Sequence, residues 1–343
     1  MTRNTGRKLN IAVSTILLAL FLYLAFRNVN FTELITILKN TNYFYVVVGI
    51  SIGVILGSIV RTFRWRILLE PIKANISFRN LFSATVIGYM VNNLIPRTGE
   101  LVRPYLLGKS ESLSKMAAFG TIIIERIIDT VMFLFMFGIA LLYFKRRISN
   151  AFPEIDFAVI ILTAIIFLTL FWILFTIFKT EQSFRIIKFF TRVLPERFQL
   201  KIEKLFASLV NSFNVLKRPH LLLMTGIYSV ILWLVYLCST YIPLYSFGII
   251  VDGSTGFLEG IWNANLLLVL INLAMFIPAP AATGPYHYVC RVTLVTIFSV
   301  SEAKALGYAT STHLMSFLIF LIVGLYYFIT SHYRISELKQ ETI

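Results

Sequence analysis

Long apolar runs separated by short polar connectors dominate the chain. A run of about 18–20 apolar residues is long enough to cross a bilayer as an α-helix. Full spans are predicted at about 9–26, 43–60, 117–144, 157–178, 221–247 and 305–330. A membrane β-barrel would instead show short segments of alternating polarity. The pattern therefore predicts an all-α polytopic membrane protein in which residues 1–343 form a single integral membrane domain.

Two further apolar stretches, 81–108 and 261–299, are interrupted by proline and glycine. The residues at the breaks are Pro96, Gly99, Pro278, Pro280 and Gly284. The pieces on either side are short for a crossing, and broken backbone at membrane depth is tolerated only where protein or water satisfies it. We therefore expect two re-entrant hairpins beside about six full spans, which makes about eight membrane elements.

The order of span, span, hairpin and span occurs in residues 1–145 and again in about 155–330. The two halves would be inverted relative to each other. Inverted repeats with paired Gly/Pro-interrupted segments are typical of transporters, and their substrates bind near the interruptions. The alternative is a ten-helix bundle that contains two unrelated kinked helices.

Composition and charge agree with a membrane location. The hydrophobic fraction is 58% and the charged fraction is 14%, against about 25% in soluble domains. The net charge of +15 comes from basic residues beside apolar spans, which favours anionic lipid head groups and the positive-inside rule over nucleic acid. The basic segments place both termini on the cytoplasmic side of the plasma membrane. We expect the connector 179–220 to form basic amphipathic helices on the cytoplasmic membrane surface, or else a solvated loop.

Charged residues inside the apolar stretches are the candidate functional groups. An isolated charge at membrane depth costs about 2.5–3.5 kcal/mol on insertion scales, so such groups must face one another, protein or water. A polar cavity between the hairpins would satisfy them. The predicted substrate-binding residues are Asn93, Arg97, Glu100, Arg103, Glu125, Arg126, Asp129, His287 and Arg291.

Arginines suit phosphate because the planar guanidinium offers two parallel donors, and the carboxylates could hold a cationic or hydroxylated head group. The alternative is a set of structural salt bridges, with Asn92 and Asn93 capping broken helix ends. Arg61, Arg64 and Arg66 are expected to be interfacial anchors. No Cys/His cluster, Gly-rich phosphate loop or nucleophile elbow is present in the sequence, so no metal or cofactor is expected.

Three segments together resemble a known family. They are Asn93-x-x-Pro96-x-x-Gly99-Glu100-x-x-Arg103, then Glu125-Arg126-x-x-Asp129, then the proline-rich break 278–285. This pattern is similar to the lysylphosphatidylglycerol synthase transmembrane-region family, also called the flippase-like domain family. The chain ends at Ile343 without a soluble aminoacyl-transferase domain, so the resemblance implies a stand-alone member with the lipid-moving half of that activity.

The resemblance and the polar residues together favour a lipid translocase. It would move a phospholipid or a lipid-linked phosphate between leaflets, and it would not be an enzyme. Its partners would be anionic or phosphate-bearing lipids, with a second copy or another membrane protein as a further possible partner. The alternatives are a membrane-embedded transferase that acts on a lipid phosphate, and an accessory membrane subunit.

Overall fold

The computed structural model describes residues 3–151, 218–250, 256–277 and 279–331, and scattered positions between 164 and 207. The span expected at 157–178 lies largely outside the described residues, and Pro278 lies outside them too. The division into halves 1–145 and 155–330 therefore stays a prediction.

Helices make up nearly all of the described structure, as the apolar runs predict. In chain order they are α1 (Arg3–Phe26), α2 (Phe31–Asn40), α3 (Tyr43–Ser51), α4 (Gly57–Leu69), α5 (Phe78–Leu94), α6 (Gly99–Ser110), α7 (Lys115–Ala151), α8 (Thr180–Thr191), α9 (Pro219–Ser246), α10 (Phe257–Ala274), α11 (Pro285–Phe298) and α12 (Glu302–Thr330). A π-helical turn, Ile52–Leu56, joins α3 to α4. The all-α polytopic membrane fold is confirmed.

Five helices within the described residues are long and apolar enough to cross a membrane. They are Tyr43–Leu69, Lys115–Arg147, Pro219–Ser246, Phe257–Ala274 and Glu302–Thr330. A sixth span results if the bent pair Thr15–Phe26 and Phe31–Asn40, which meet at 87°, counts as one. The span predicted at 43–60 continues as one helical rod to Leu69, nine residues beyond its expected end.

Glycines bring this rod close to α9. Gly49, Gly53 and Gly57 recur every fourth residue, and a Cβ at Gly49 would lie 2.8 Å from Pro243 Cδ. A Cβ at Gly53 would collide with Ser239. Small residues at this spacing allow two membrane helices to approach closely, so α9 packs directly along α3 and α4.

The first interrupted stretch is a hairpin of α5 and α6. The break has Arg97 in the left-handed region at φ 62°, and the Asn92 side chain accepts a hydrogen bond of 2.6 Å from the Gly99 N–H. Asn92 therefore caps the start of α6. The two arms are in backbone contact, because a Cβ at Gly99 would collide with the Gly88 carbonyl.

Both ends of this hairpin lie at the same end of the helical bundle. Glu111 follows α6, and its carboxylate accepts from Lys73 Nζ at 2.8 Å and from Asn80 Nδ2 at 2.7 Å. Lys73 and Asn80 flank the start of α5. The chain therefore enters and leaves this hairpin on one side, as a re-entrant element does.

The second hairpin consists of α10 and α11 and opens at the opposite end of the bundle. The far end of α7 contacts both of its arms, with Tyr143 stacked on Trp262 at 4.9 Å and Phe144 against Phe298 at 6.0 Å. Arg147 adds an ion pair of 3.2 Å with Glu259. α7 thus runs from the base of the first hairpin to the base of the second.

The tips of the two hairpins meet between these ends. Arg97 Nη2 donates a hydrogen bond of 3.1 Å to the carbonyl oxygen of Phe276, and α5 also contacts the short 3₁₀ turn Pro280–Ala282. One apolar core packs α4 to α7 together through Trp65, Leu107 and Ile122. A second joins α3 with α9 to α12 through residues such as Leu267. The polar site lies within the first assembly, on its side toward α9.

Candidate functional site

Three helices bring charged side chains into one buried cluster. Arg61 and Arg64 lie three residues apart on α4, and Arg103 lies one turn after the first break on α6. α7 supplies Glu125, Arg126 and Asp129, of which the two carboxylates are four residues apart and share one helical face. We call these six residues the arginine cluster.

Glu125 is at the centre of the cluster and its side chain is 0% exposed. Its Oε1 lies 2.6 Å from Arg61 Nη1 and 3.0 Å from Arg126 Nη2. Arg103 forms a bidentate pair with the Glu125 carboxylate, in which Nη1 donates to Oε1 at 3.0 Å and Nη2 donates to Oε2 at 3.2 Å. A buried carboxylate is stable only with such partners, so removal of the arginines would leave an uncompensated buried charge.

Asp129 forms a second centre one turn along α7. Its Oδ1 accepts from Arg64 Nη2 at 2.6 Å, and its Oδ2 accepts from Arg61 Nη1 at 2.9 Å. Arg126 Nη2 lies 3.4 Å from Oδ2. Asp129 thus contacts three guanidinium groups, and Glu125 contacts four because Arg64 Nη2 also lies 3.9 Å from its Oε1, which leaves little capacity for a cationic ligand.

α9 contributes uncharged groups to the cluster. The Tyr236 hydroxyl accepts from Arg61 Nη2 at 2.8 Å, and Ser229 Oγ accepts from Arg64 Nη1 at 3.1 Å. Since α9 belongs to the second predicted half, the cluster combines groups from both halves of the sequence.

Aromatic rings wall the cluster on the side of the first hairpin. The Arg103 guanidinium lies 4.5 Å from the Trp65 ring, and Trp65 Nε1 donates to Thr121 Oγ1 at 2.9 Å. The centre of the Tyr89 ring lies 5.7 Å from the Arg61 guanidinium and 5.8 Å from the Arg103 guanidinium. Such contacts stabilise cations that have been removed from water.

The cluster carries more positive than negative charge. Four guanidinium groups face two carboxylates, so two positive charges are unbalanced. Glu100 lowers the excess to one where its Oε1 lies 3.7 Å from Arg126 Nε. Among the described residues, the Nε atoms of all four arginines are buried without a hydrogen-bond acceptor, and the Tyr89 hydroxyl also lacks a partner. The cluster therefore has spare donors and spare positive charge.

The cluster opens where Arg126 and Glu100 lie, since each of these side chains is 39% exposed. Glu100, Arg103, Glu125, Arg126 and Asp129 are thus brought together as predicted from the sequence, although their role in binding is untested. Asn93 has a buried Nδ2 without a partner among the described residues. Arg97 is at the exposed hairpin tip with its hydrogen bond to Phe276.

His287 and Arg291 lie in the second hairpin, away from these ion pairs. His287 Nδ1 accepts the Gly284 N–H at 3.4 Å, and Arg291 Nη1 pairs with Glu302 at 2.8 Å. Of the predicted break residues, Pro96 and Gly99 flank the first tip, and Pro280 and Gly284 flank the turn of the second.

Sequence reasoning missed Arg61 and Arg64. They were expected to be interfacial anchors, which is wrong, because they are 5% and 0% exposed and both pair with Asp129. The cause is the underestimated length of the span. With the helix ending at Leu69, Arg61 is eight residues, or about 12 Å, inside it. The three-residue spacing of the two arginines could have indicated a shared inward face.

Comparison with known proteins places this architecture in a family. A UPF0104 membrane protein of Methanocaldococcus jannaschii is 34% identical over 143 residues, 40% of this chain and 42% of that protein. One from Methanothermobacter thermautotrophicus is 26% identical over 227 residues, 62% of this chain and 65% of that protein. One from Pyrococcus horikoshii is 25% identical over 280 residues, 76% and 79% of the two chains. The aligned part thus spans less than two thirds of the first two relatives.

The family profile covers far more of the sequence than these pairwise matches. It is the lysylphosphatidylglycerol synthase TM region, and it matches residues 9–324, which include both hairpins and the whole arginine cluster. The apolar helices, the interrupted elements and this match agree, and the chain is an integral membrane protein that belongs to the lysylphosphatidylglycerol synthase transmembrane-region family.

Proposed function

We propose that this protein moves an anionic, phosphate-bearing lipid between the leaflets of the membrane. The observation that carries the proposal is the excess positive charge of a cluster buried among membrane helices. Intramembrane ionisable residues are functional by default, because their burial is expensive.

The depth of the cluster fits a head group in transit. Arg61 lies about 12 Å from the end of α4, and Glu125 lies about 15 Å from the start of α7 at the same end of the bundle. The hydrocarbon core is about 30 Å thick, so the cluster would lie near its middle. A phosphate held there would be halfway across.

The pairing pattern supports an anion over a cation. Glu125 and Asp129 are occupied by arginines, whereas the arginine Nε donors are unoccupied within the described residues. A phosphodiester brings one negative charge and acceptor oxygens, so it would use both the spare charge and the spare donors. Among the described carboxylates of the cluster and its opening, a lipid with an ammonium group would find only Glu100 accessible, which is half-exposed.

The hairpins support movement of the lipid past the cluster. Discontinuous helices near the membrane midplane are typical of secondary transporters, in which one half rocks against the other around a central site. Here α6 begins at the first break and carries Arg103, and α9 contributes Tyr236 and Ser229 from the other predicted half. A rocking motion between the halves would therefore alter the contacts of the bound phosphate.

The test uses purified protein in liposomes that contain a trace of fluorescent lipid. Dithionite quenches only the outer-leaflet label, so transport raises the quenched fraction above about one half when movement is fast. We expect this for a phosphatidylglycerol probe and not for a phosphatidylcholine probe. Arg126→Gln, at the opening of the cluster, should slow the movement, whereas Arg66→Gln, exposed on α4, should not.

Arg126 is chosen because its half-exposed side chain can be neutralised with less risk to folding than Arg103. Elution as a single species from size-exclusion chromatography checks that each variant is folded. Equal quenching with and without wild-type protein would contradict the proposal. Conversion of the labelled lipid into a new product, seen by thin-layer chromatography, would instead indicate a transferase.

A further inference from the structure

Two histidines lie against the second break. His287 is on α11 and His313 is on α12, and their ring centroids are 4.9 Å apart. His287 is buried, with the Phe26 ring of α1 at 6.4 Å. Within the described residues, His220 lies apart from this pair, exposed at the start of α9.

The hydrogen bonds of the pair define its protonation. His313 Nε2 lies 2.9 Å from the Ala281 carbonyl oxygen, and because that oxygen can only accept, this nitrogen carries a hydrogen. His287 Nδ1 accepts the Gly284 N–H at 3.4 Å, so this nitrogen carries none. Both rings are thus engaged with the backbone of the break, and His287 is in its neutral form.

The backbone that they contact is in an unfavourable conformation. Ala281 and Ala282 have φ values of 50° and 54°. The left-handed region is strained for a residue that has a side chain. The bond from His313 to Ala281 is one of the contacts that hold this conformation, so loss of it would favour rearrangement of the break.

Within the part of the chain that the structure describes, neither histidine has a carboxylate partner. The carboxylates on the elements packed around the pair are Glu33, Glu259 and Glu302. From Thr15 onward, the other titratable or charged groups on these elements are Tyr23, Lys39, Arg79, Tyr89, Tyr286, Tyr288, Cys290, Arg291, Lys304, Tyr308, Tyr326 and Tyr327. Glu302 pairs with Arg291 at 2.8 Å, and Glu33 accepts from Ser301 at 3.1 Å. The Tyr286 ring lies 5.1 Å from His313, and its hydroxyl bonds to Thr312. An imidazolium would thus be poorly stabilised in this closed arrangement.

We propose that His287 and His313 form a proton-binding site that releases the second break. A proton on His287 Nδ1 would place a donor opposite the Gly284 N–H, and two imidazolium rings 4.9 Å apart would repel each other. The protonated pair is stable once the break has opened to water. Acid therefore shifts the population toward the open break.

Release of the break gives a route by which proton uptake changes the hairpin tip. The tip includes Phe276, whose carbonyl accepts from Arg97 of the first hairpin. Only the coupling of this opening to lipid movement rests on the proposed function.

The test measures amide hydrogen exchange of residues 275–287 in the purified protein between about pH 5.5 and about pH 8, corrected for the intrinsic pH dependence of exchange. Below the pH at which the histidines of the open break take up protons, protection of these amides should fall about tenfold per unit decrease in pH for each proton taken up on opening. His287→Gln/His313→Gln should remove this dependence, since glutamine keeps an acceptor and a donor without titrating. His220→Gln is the matched control and should retain it.

Corrected protection that is equal at both pH values would overturn the proposal, and so would a full pH response in the double variant. If the double variant does not fold, the two single variants are measured instead. A full pH response of amide exchange in both of them would overturn the proposal. Lipid movement is measured separately. If the wild-type protein shows the pH response of amide exchange but moves no lipid, the proposed lipid function is wrong and the proton site stands.

Discussion

Arg103 on α6 and Glu125 on α7 form a two-pronged ion pair, with distances of 3.0 and 3.2 Å, in which both side chains are almost fully buried. This pair ties the second arm of the first hairpin to a helix that contacts the bases of both hairpins. The proposed function also assigns this guanidinium to the lipid phosphate, and under that proposal stability and binding depend on the same residues.

Glu125→Gln is expected to destabilise the protein strongly. Removal of one partner from a buried ion pair leaves the other charge uncompensated and costs about 3–5 kcal/mol of unfolding free energy. Asp129→Asn should cost less, because its side chain is 19% exposed and water can replace part of its role. Unfolding in mixed micelles measures both effects.

Combining Glu125→Gln with Arg103→Gln should restore part of the lost stability, because neighbouring changes in one network are not additive. Full additivity of the two single effects would show that the pair is not coupled, contrary to the geometry of the ion pair.

Gly88→Ala is expected to displace Arg103. A Cβ at Gly88 would collide with Arg103 Cγ and would lie 3.2 Å from the Gly99 carbonyl oxygen. Gly138→Ala is the matched control on α7, since its Cβ would meet nothing within 4 Å. There, alanine should be neutral or stabilising by up to about 1 kcal/mol. Thermal stability in detergent and transport of the anionic probe are the measurements, and equal behaviour of the two variants would contradict this account.

Glu111 should make the base of the first hairpin sensitive to acid. Burial alone would raise the pKa of this carboxyl, but hydrogen bonds from Lys73, Asn80 and the Ser77 N–H outweigh burial and hold the pKa below its usual range. A carboxyl whose pKa is lower in the folded state stabilises that state above its ordinary pKa. This stabilisation is lost as the pH falls through the lowered value.

Glu111→Gln should therefore lower the melting temperature at neutral pH, through the loss of about 1 kcal/mol of charge-assisted hydrogen bonding. The difference from wild type should shrink as the pH falls below about 4. Glu70→Gln, exposed on the same connector, is the control. A difference that is constant across the pH range would refute the role of the carboxylate.

The hairpin tips should be linkable by a short bis-maleimide in a Cys238→Ser background. Arg97→Cys and Phe276→Cys replace the residues whose contact joins the two tips. We expect efficient cross-linking of this pair and loss of lipid movement once the link forms. Leu142→Cys with Phe276→Cys serves as the control, because Leu142 is an exposed residue on α7 near the second hairpin base. Cross-linking of the control as fast as the tip pair would argue against the tip contact.

Much of the fold could be predicted because long apolar runs and Pro/Gly interruptions follow directly from the length of a membrane crossing and the geometry of proline and glycine. The hairpin around Pro96 and Gly99 was located to within a few residues, and Asn92 does cap a broken helix end. The charges on α7 were recognised as site candidates because their depth requires partners.

The partners themselves could not be predicted, because side chains far apart in sequence are brought together only by packing. Tyr236 and Ser229 lie more than a hundred residues after Glu125 and carry no charge that would mark them. Arg61 lies in a basic, aromatic segment that is typical of a membrane interface. Only the continuation of its helix to Leu69 places it among buried residues. Arg291 was grouped with the phosphate-binding candidates, yet its side chain pairs with Glu302.

The backbone contact between Gly88 and Gly99 has a mechanical consequence. Because no side chain separates the two backbones, the two arms of the first hairpin pack closely, and a shift of one arm toward the other would have to displace it. The ion pair of Lys73 with Glu111 holds the base of this hairpin, and Arg103 lies on its second arm. A tilt of the hairpin about this base would therefore change the distance between the Arg103 guanidinium and Glu125 without any helix unwinding.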